Sequence, residues 1–398
     1  MNLLDLLLLL AALGAAVSGY RRGLVAGVVS LAGFIGGAAL GIWLLPYILE
    51  YVEEGSVATI VVALLTVLIP ASIGQTLTGR LAWRLRSSLT WTPVRWVDGA
   101  GGAVANALAV LVVAWMAAGV VAASPSPQLN QAIRGSAVLG TVQERMPDQA
   151  STWFNRAGSA LTTAGFPRVF NPFEHEPGAE VPEPSGDAVT AQAVSAAKQS
   201  TVKVEGVSET DGGRRGQEGS GFVYAQGRVM TNAHVVAGVD RPTVRIGGVG
   251  PRYEASVVVF DPKTDVAVLR VPELKAPTLS FAGSASRGDQ SVVAGYPENG
   301  GLDLRAAAVS ERVPARGQDI YGSDLTTRDI YTVRSLVRPG NSGGPLLTTK
   351  GEVYGVVFAR STSESDTGYV LTADQISSAA ERGARAEQPV DTGDRSAL

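Results

Sequence analysis

The 398-residue chain has no cysteine and only two histidines, His175 and His234. The first absence excludes disulfides, thiolate catalysis and cysteine-ligated metals. The second argues against a multi-histidine zinc site. An excess of positive charge is missing too: 33 Lys and Arg stand against 36 Asp and Glu, a net charge of −3. Nothing basic suggests a nucleic-acid partner. The composition therefore predicts a chain that uses no metal, no other cofactor and no nucleic acid.

The apolar residues are unevenly placed. Long apolar runs crowd residues 3–20, 24–45, 56–78 and 100–122, then stop near "AASPSPQ". A bilayer-spanning helix needs about 20 mostly apolar residues, so four spans are expected in a domain of residues 1–123. The first run lacks a basic flank and three more follow it, which argues against a cleaved signal peptide. Its Asp5 is expected at a membrane interface. Arg21 and Arg22 follow the first run, and Arg80, Arg84, Arg86 and Arg95 the third, whereas Glu50, Glu53 and Glu54 follow the second. Basic loops stay in the cytoplasm. Both termini, and everything after the fourth span, are then expected on the periplasmic side of the cytoplasmic membrane. In "GFIGGAALG", Gly33, Gly37 and Gly41 fall four apart and predict a close helix–helix contact. Asn106 offers a hydrogen bond across helices.

The opening "LLDLLLLLAALGAAVSGYRRGLVAGVVSLAGFIGGAALG" resembles the colicin V production protein family of bacterial inner-membrane proteins. The early aspartate, the "GYRRGL" turn and the glycine-rich second run carry the resemblance, which extends over roughly residues 1–165.

Residues 124–188 read as a connecting segment. Rough helical spacing over 128–166 predicts one or two amphipathic helices. The run "NPFEHEPGAEVPEPSGDA" at 171–188 is rich in Pro, Glu and Gly, a composition that gives an extended tether. His175 lies within it and is expected to be solvated.

From residue 189 to 385 the pattern changes to about a dozen short β-rich runs separated by Gly, Pro and Asp turns, arranged as two sets of six. This predicts an all-β domain, a sandwich or a pair of barrels. One helix is expected near its end, in "TADQISSAAERGARA", and residues 386–398 form a polar tail. Within this half, His234 ends the run "TNAHVV", Asp265 opens the strand "VAVLRV", and Ser342 lies in "PGNSGGPLL". Acyl transfer by a serine needs an imidazole to take its proton and a carboxylate to orient that imidazole. It also needs backbone donors for the developing oxyanion. Gly340 lets the chain bend so that the amides of Gly340 and Ser342 converge. His234 is the one histidine of this half, so any such triad uses it. Asp261 competes with Asp265 for the carboxylate role, but it begins the turn "DPKT", where aspartate is common anyway.

Together the three motifs resemble the chymotrypsin-like serine proteases, and more closely their bacterial HtrA-type branch, over roughly residues 195–380. The resemblance implies a double β-barrel. Joined to the helical half, the chain is similar to the membrane-anchored actinobacterial serine proteases. Asn341 precedes the serine where the zymogen proteases have an aspartate, so activation by a new N-terminal ammonium is not expected. No C-terminal peptide-binding domain follows the barrels. The resemblance places residues 336–339 and 358–360 near the substrate pocket, with Leu336, Arg338, Ala359 and Arg360 as candidate lining residues. No acidic residue lies in either segment, which argues for a small or medium apolar preference over Lys or Arg. The expected function is a membrane-tethered serine endopeptidase acting on cell-envelope proteins, with membrane lipid as its other partner. The alternative is a membrane scaffold whose barrel binds peptides without cutting them.

Overall fold

A computed structural model describes residues 1–49, 57–86, 92–122, 127–146, 169–170, 176–210 and 213–393. The chain divides into two units, Met1–Thr163 with Pro172–His175, and Ala164–Asn171 with Glu176–Leu398. His175 and most of residues 147–175 lie outside the described residues.

The first unit is helical. Helices α1 (Leu3–Arg22), α2 (Leu24–Leu49), α3 (Val57–Arg86) and α4 (Thr92–Val121) are each long and apolar enough to cross a membrane. Two short helices follow, α5 (Pro127–Arg134) and α6 (Ala137–Gln143). The glycine face of α2 packs on α3 as the spacing predicts. A Cβ at Gly33, Gly37 or Gly41 would collide with backbone oxygens of Gly74, Pro70 or Thr66 respectively. That approach, with no side chain between the backbones, is how helices gain contact where lipid supplies no hydrophobic drive. Asn106 bonds within its own helix instead of across, its Nδ2 donating to the Gly102 carbonyl at 3.1 Å.

Asp5 finds protein partners that the residue pattern does not announce. Its side chain is fully buried and caps two helices. It closes a capping box with Asn2 at the start of α1. It also accepts from Ser136 Oγ (2.5 Å) and from the amides of Ala137 (3.4 Å) and Val138 (3.1 Å) at the start of α6. A buried carboxylate is tolerable because these donors replace water. Leu8, Trp115, Ile133, Leu139 and Val142 form the apolar cluster beside it.

The second unit is β-rich. Helix α7 (Ala191–Ser200), which the residue pattern does not announce, leads into β1 (Thr201–Thr210), β2 (Gly213–Ala225) and β3 (Arg228–Thr231). After the four-residue helix α8 (Ala233–Val236) come β4 (Thr243–Ile246), β5 (Tyr253–Glu254), β6 (Ser256–Asp261) and β7 (Val266–Arg270). These seven strands make one curled antiparallel sheet in the order β5-β4-β1-β2-β3-β7-β6. The remaining strands are β8 (Gln290–Gly295), β9 (Asp303–Gln318), β10 (Leu325–Arg334), β11 (Pro345–Thr348), β12 (Val353–Arg360) and β13 (Thr367–Thr372). They close into a six-stranded barrel, β10-β13-β12-β11-β8-β9. The division into two sets was legible, but the first set has seven strands, because the two-residue β5 carries no alternation of its own.

Each sheet holds its own Val-rich core, around Val204, Val229 and Leu269 in the first and Val293, Val333 and Leu346 in the second. A third cluster, with Phe222, Val268, Phe358 and Leu371, joins the two sheets to helix α9 (Ala373–Arg385) through Ile376, Ala379 and Ala380. Completely burying a side chain of the size of Phe222 or Leu371 stabilises the fold by roughly 1.5–3 kcal/mol. This shared cluster therefore fixes one sheet against the other.

The polar tail is docked through residue 393. Val390 donates to Val257 at 2.9 Å, and Gly238 to Thr392 at 3.2 Å. Glu387 bridges Arg228 and Arg270, both at 2.7 Å. The described part of the tether, from Glu176 onward, has no helix or strand before a short 3-10 turn at Gly186–Ala188, and it lies along the barrel. Arg334 Nη1 donates to the Val181 carbonyl at 2.9 Å, and Arg287 reaches that of Glu180. Barrel arginines thus supply the donors that a Pro-rich segment cannot find within itself.

Candidate active site

His234 sits in α8, directly after β3, and Asp265 ends the turn between β6 and β7. The two meet tightly. His234 Nδ1 lies 2.7 Å from Asp265 Oδ2, and the His234 amide donates to Oδ1 at 2.9 Å. Both carboxylate oxygens therefore serve one residue. Asp265 adopts a positive φ of 63°, a left-handed conformation that Asp and Asn tolerate better than most residues. Asn232 Nδ2 holds the Asp265 carbonyl at 2.8 Å. Asp261, the competing carboxylate, turns instead to the amides of Lys263 (3.0 Å) and Thr264 (3.2 Å). It caps its own turn.

Ser342 comes from the barrel side and is 2% exposed. The first sheet receives it through Ser220, whose amide donates to the Ser342 carbonyl at 2.7 Å. The neighbouring Gly219 lies against both that carbonyl and the Val235 side chain, so the chain around His234 and the chain around Ser342 share one wall. Ser342 Oγ and His234 Nε2 are both buried and have no hydrogen-bond partner among the described residues. A serine–imidazole pair in a proton-transfer role would have to join these two atoms, and such bonds commonly tighten only once substrate is bound.

The backbone of the loop is set by its carbonyls. Pro339 O accepts from Glu298 N (2.8 Å), and Asn341 O accepts from Gly344 N (2.9 Å). In a trans peptide the N–H points opposite to the C=O, so the Gly340 and Ser342 amides turn away from these anchors. Among the described residues neither amide donates to a protein acceptor. Two unused N–H groups beside a serine are what an oxyanion requires. Gly340 has φ 94° and Gly343 φ 84°, and a Cβ at Gly343 would collide with the Ser220 carbonyl.

Sequence reasoning missed Ser220. Its Oγ donates to the Gly340 carbonyl at 2.6 Å and accepts from the Tyr296 amide at 2.9 Å, while Thr231 Oγ1 holds its carbonyl at 2.7 Å. It braces the Ser342 loop against both sheets. The signal was present in "EGSGF", a run of small residues inside a strand, where close backbone approach is expected.

Arg328 was missed as well. It is fully buried, its Nη2 donates to the Gln318 carbonyl at 2.8 Å, and its guanidinium lies 6.0 Å from the centre of the Phe358 ring. Its Nε and Nη1 have no hydrogen-bond partner among the described residues. Burial pushes its pKa down, opposed by the negative charges of Asp265, Asp319 and Asp261. A cation thus stands behind the candidate carboxylate.

The four candidate pocket residues are placed unequally. Leu336 is 44% exposed, Ala359 is fully buried and Arg360 is half-buried. Arg338 is engaged by Asp303 at 2.5 Å and Glu298 at 3.4 Å. Burial works to raise the Asp303 pKa, but hydrogen bonds from Arg305 and Arg338 overcome it and hold the carboxyl below its usual range.

Two family models match the chain: colicin V production protein over residues 4–147 and trypsin-like peptidase domain over residues 219–356. The serine protease Rv3671c of Mycobacterium tuberculosis is 37% identical over 393 residues, which is 98% of either chain. A crystal structure of its protease in the active form is 41% identical, with a TM-score of 0.52, and covers 57% of this chain and 99% of the other. A probable periplasmic serine endoprotease, DegP-like, of Chlamydia trachomatis is 35% identical over 142 residues, 35% of this chain and 27% of its own length. With a relative alike along nearly its whole length, and a peptidase model on the half that holds His234 and Ser342, this chain belongs to the HtrA/trypsin-like serine proteases and carries a colicin V production-type helical domain ahead of the peptidase.

Proposed function

We propose that this serine protease is a membrane-tethered endopeptidase, in which Ser342 is the nucleophile, His234 its base and Asp265 the group that orients the base. The observation that carries the reading is the double engagement of His234 by Asp265. Oδ2 faces Nδ1 and fixes the proton there, which leaves Nε2 as the acceptor for the Ser342 hydroxyl proton. The alkoxide attacks the scissile carbonyl, and the amides of Gly340 and Ser342 receive the oxyanion. His234 then returns the proton to the leaving amine, and water releases the acyl group by the same route.

The location rests on charge. Arg21, Arg22 and the arginines between residues 80 and 95 follow the first and third apolar runs, whereas the loop after the second has no basic residue, and the positive-inside rule then favours a peptidase outside the cytoplasmic membrane. Its substrates are then proteins of the cell envelope, cleaved after small or medium apolar residues.

The test is a fluorophosphonate serine-hydrolase probe applied to the full chain in detergent, with the modified residue located by peptide mapping. Labelling at Ser342 is expected, and Ser342→Ala should abolish it and reduce turnover by about 10⁶-fold. Undiminished hydrolysis by Ser342→Ala refutes the assignment. Peptide binding without hydrolysis by the unmodified chain would favour the scaffold reading.

A further inference from the structure

The tether contributes a side chain to the peptidase. Glu176 is 8% exposed and accepts four hydrogen bonds from one loop of the barrel. Its Oε2 takes Ser361 Oγ (2.5 Å), Thr362 N (3.0 Å) and Ser363 N (3.2 Å), and its Oε1 takes Thr362 Oγ1 (3.0 Å). That loop runs from Ser361 to Asp366, between β12 and β13, and begins where the candidate pocket strand ends at Arg360. Its far end holds the other candidate pocket segment. Ser335 N donates to the Asp366 carbonyl at 2.7 Å, and Arg334 pairs with the Asp366 side chain at 3.0 Å. Val337 packs directly on Gly368.

From these contacts we infer that Glu176 is a positioning residue for substrate recognition: its carboxylate gathers the loop 361–366 and, through it, the segment that leads into the Ser342 turn. The inference rests on Ser342 being the nucleophile. The physical basis is donor convergence. Two backbone amides and two hydroxyls point at one buried carboxylate, and removing it takes away the acceptor that the buried Ser361 hydroxyl uses. Charge-assisted bonds of this kind are about twice as strong as neutral ones, so the carboxylate sets the shape of the loop. The acceptor comes from the tether, upstream of the peptidase strands, so the pocket wall is complete only while the tether is seated.

The test separates recognition from chemistry. In the full chain in detergent, kcat/KM is measured on a peptide that occupies the pocket, beside the rate of fluorophosphonate labelling, which needs the nucleophile and little of the pocket. Misplacing a positioning element by about 1 Å costs on the order of 10²-fold. Glu176→Ala should accordingly lower peptide kcat/KM by about 10- to 100-fold, mainly through KM, with labelling reduced less than about threefold. Glu176→Gln should recover most of the loss, since its amide oxygen can take the Oε2 site while its NH2 donates to Thr362 Oγ1. Ser361→Ala combined with Thr362→Val removes the two hydroxyl contacts from the loop side, and should reproduce the split in the same direction even where Glu176→Ala folds poorly. Equal losses in the two readouts, an unchanged peptide kcat/KM, or a Gln variant as impaired as Ala would each overturn the inference. Absence of labelling at Ser342 in the unmodified chain would instead overturn the nucleophile assignment on which it rests.

Discussion

The substitution Asp265→Asn tests the candidate site with little disturbance of the fold. Asparagine suits the positive φ of 63° at this position, and it has the same size. Its amide is asymmetric, however, and the surroundings choose its orientation. The His234 amide donates into the Oδ1 position at 2.9 Å, so the asparagine oxygen must occupy that position. The NH2 group is then forced to the Oδ2 position, 2.7 Å from His234 Nδ1. Turning the amide over would set N–H against N–H at the backbone, so the sterically equivalent alternative is closed. Facing a donor, Nδ1 becomes an acceptor and the ring proton moves to Nε2, the atom that must be empty to accept from Ser342.

The wrong tautomer in a serine triad costs about 10⁴ in kcat, or about 5.5 kcal/mol of transition-state stabilisation at 1.36 kcal/mol per decade. The assay is steady-state peptide hydrolysis by the full chain at neutral pH, with fluorophosphonate labelling as the parallel readout. Asp261→Asn is the control. Its Oδ1 accepts only from Lys263 and Thr264 within the turn, which an amide oxygen also does, so less than about a threefold change is expected. If Asp265→Asn stays within about tenfold of the unmodified enzyme, or if Asp261→Asn is the more damaging of the two, the orientation argument is wrong.

Two further predictions use charge. Arg328 is a buried cation facing Asp265, Asp319 and Asp261, and a positive charge there opposes proton uptake by the carboxylate–imidazole pair. Arg328→Met should therefore move the acid limb of the kcat/KM profile to higher pH; an unmoved or lowered limb would refute the electrostatic role. Tyr224 is pushed up to about 12 by burial, and its hydroxyl donates to the Ala380 carbonyl of α9 at 3.0 Å. The fold therefore prefers the neutral phenol. Its contribution is complete below the ordinary tyrosine value of 10.0 and is lost as pH rises from there toward about 12. Tyr224→Phe should flatten the fall in melting temperature over that range, and an identical fall in both proteins would remove Tyr224 from the account.

The features legible in sequence are those whose cause is local. A membrane helix is announced by its own length and apolarity, and the Gly33–Gly37–Gly41 face by spacing within one helix. Ser342 is announced by the glycines around it, because the turn that frees its amides must be built from adjacent residues. Arg328 shows the limit of such reading. In "LTTRDIY" it looks like any arginine of an alternating strand, yet it is fully buried, and nothing near it in sequence says which face of β10 meets the Asp265 turn.

Other polar contacts that the sequence does not announce join residues far apart along the chain. Ser220 reaches Gly340 across 120 residues, Asp5 reaches Ser136 across 131, and Glu176 reaches Ser361 across 185. Each is a small or acidic residue in an unremarkable setting, and each ends a segment that would otherwise leave backbone groups unpaired. Pattern and propensity describe how a segment satisfies itself. They say nothing about a donor whose acceptor arrives from another part of the fold, and closing such a contact costs chain entropy that grows only slowly with separation. Distance in sequence is thus a weak penalty on the contact and a strong one on seeing it. In this protease the consequence is specific. The proposed reacting groups are written in three short motifs, whereas the contacts around them, Ser220 under the Gly340 turn and Glu176 behind the loop 361–366, are decided by tertiary pairing.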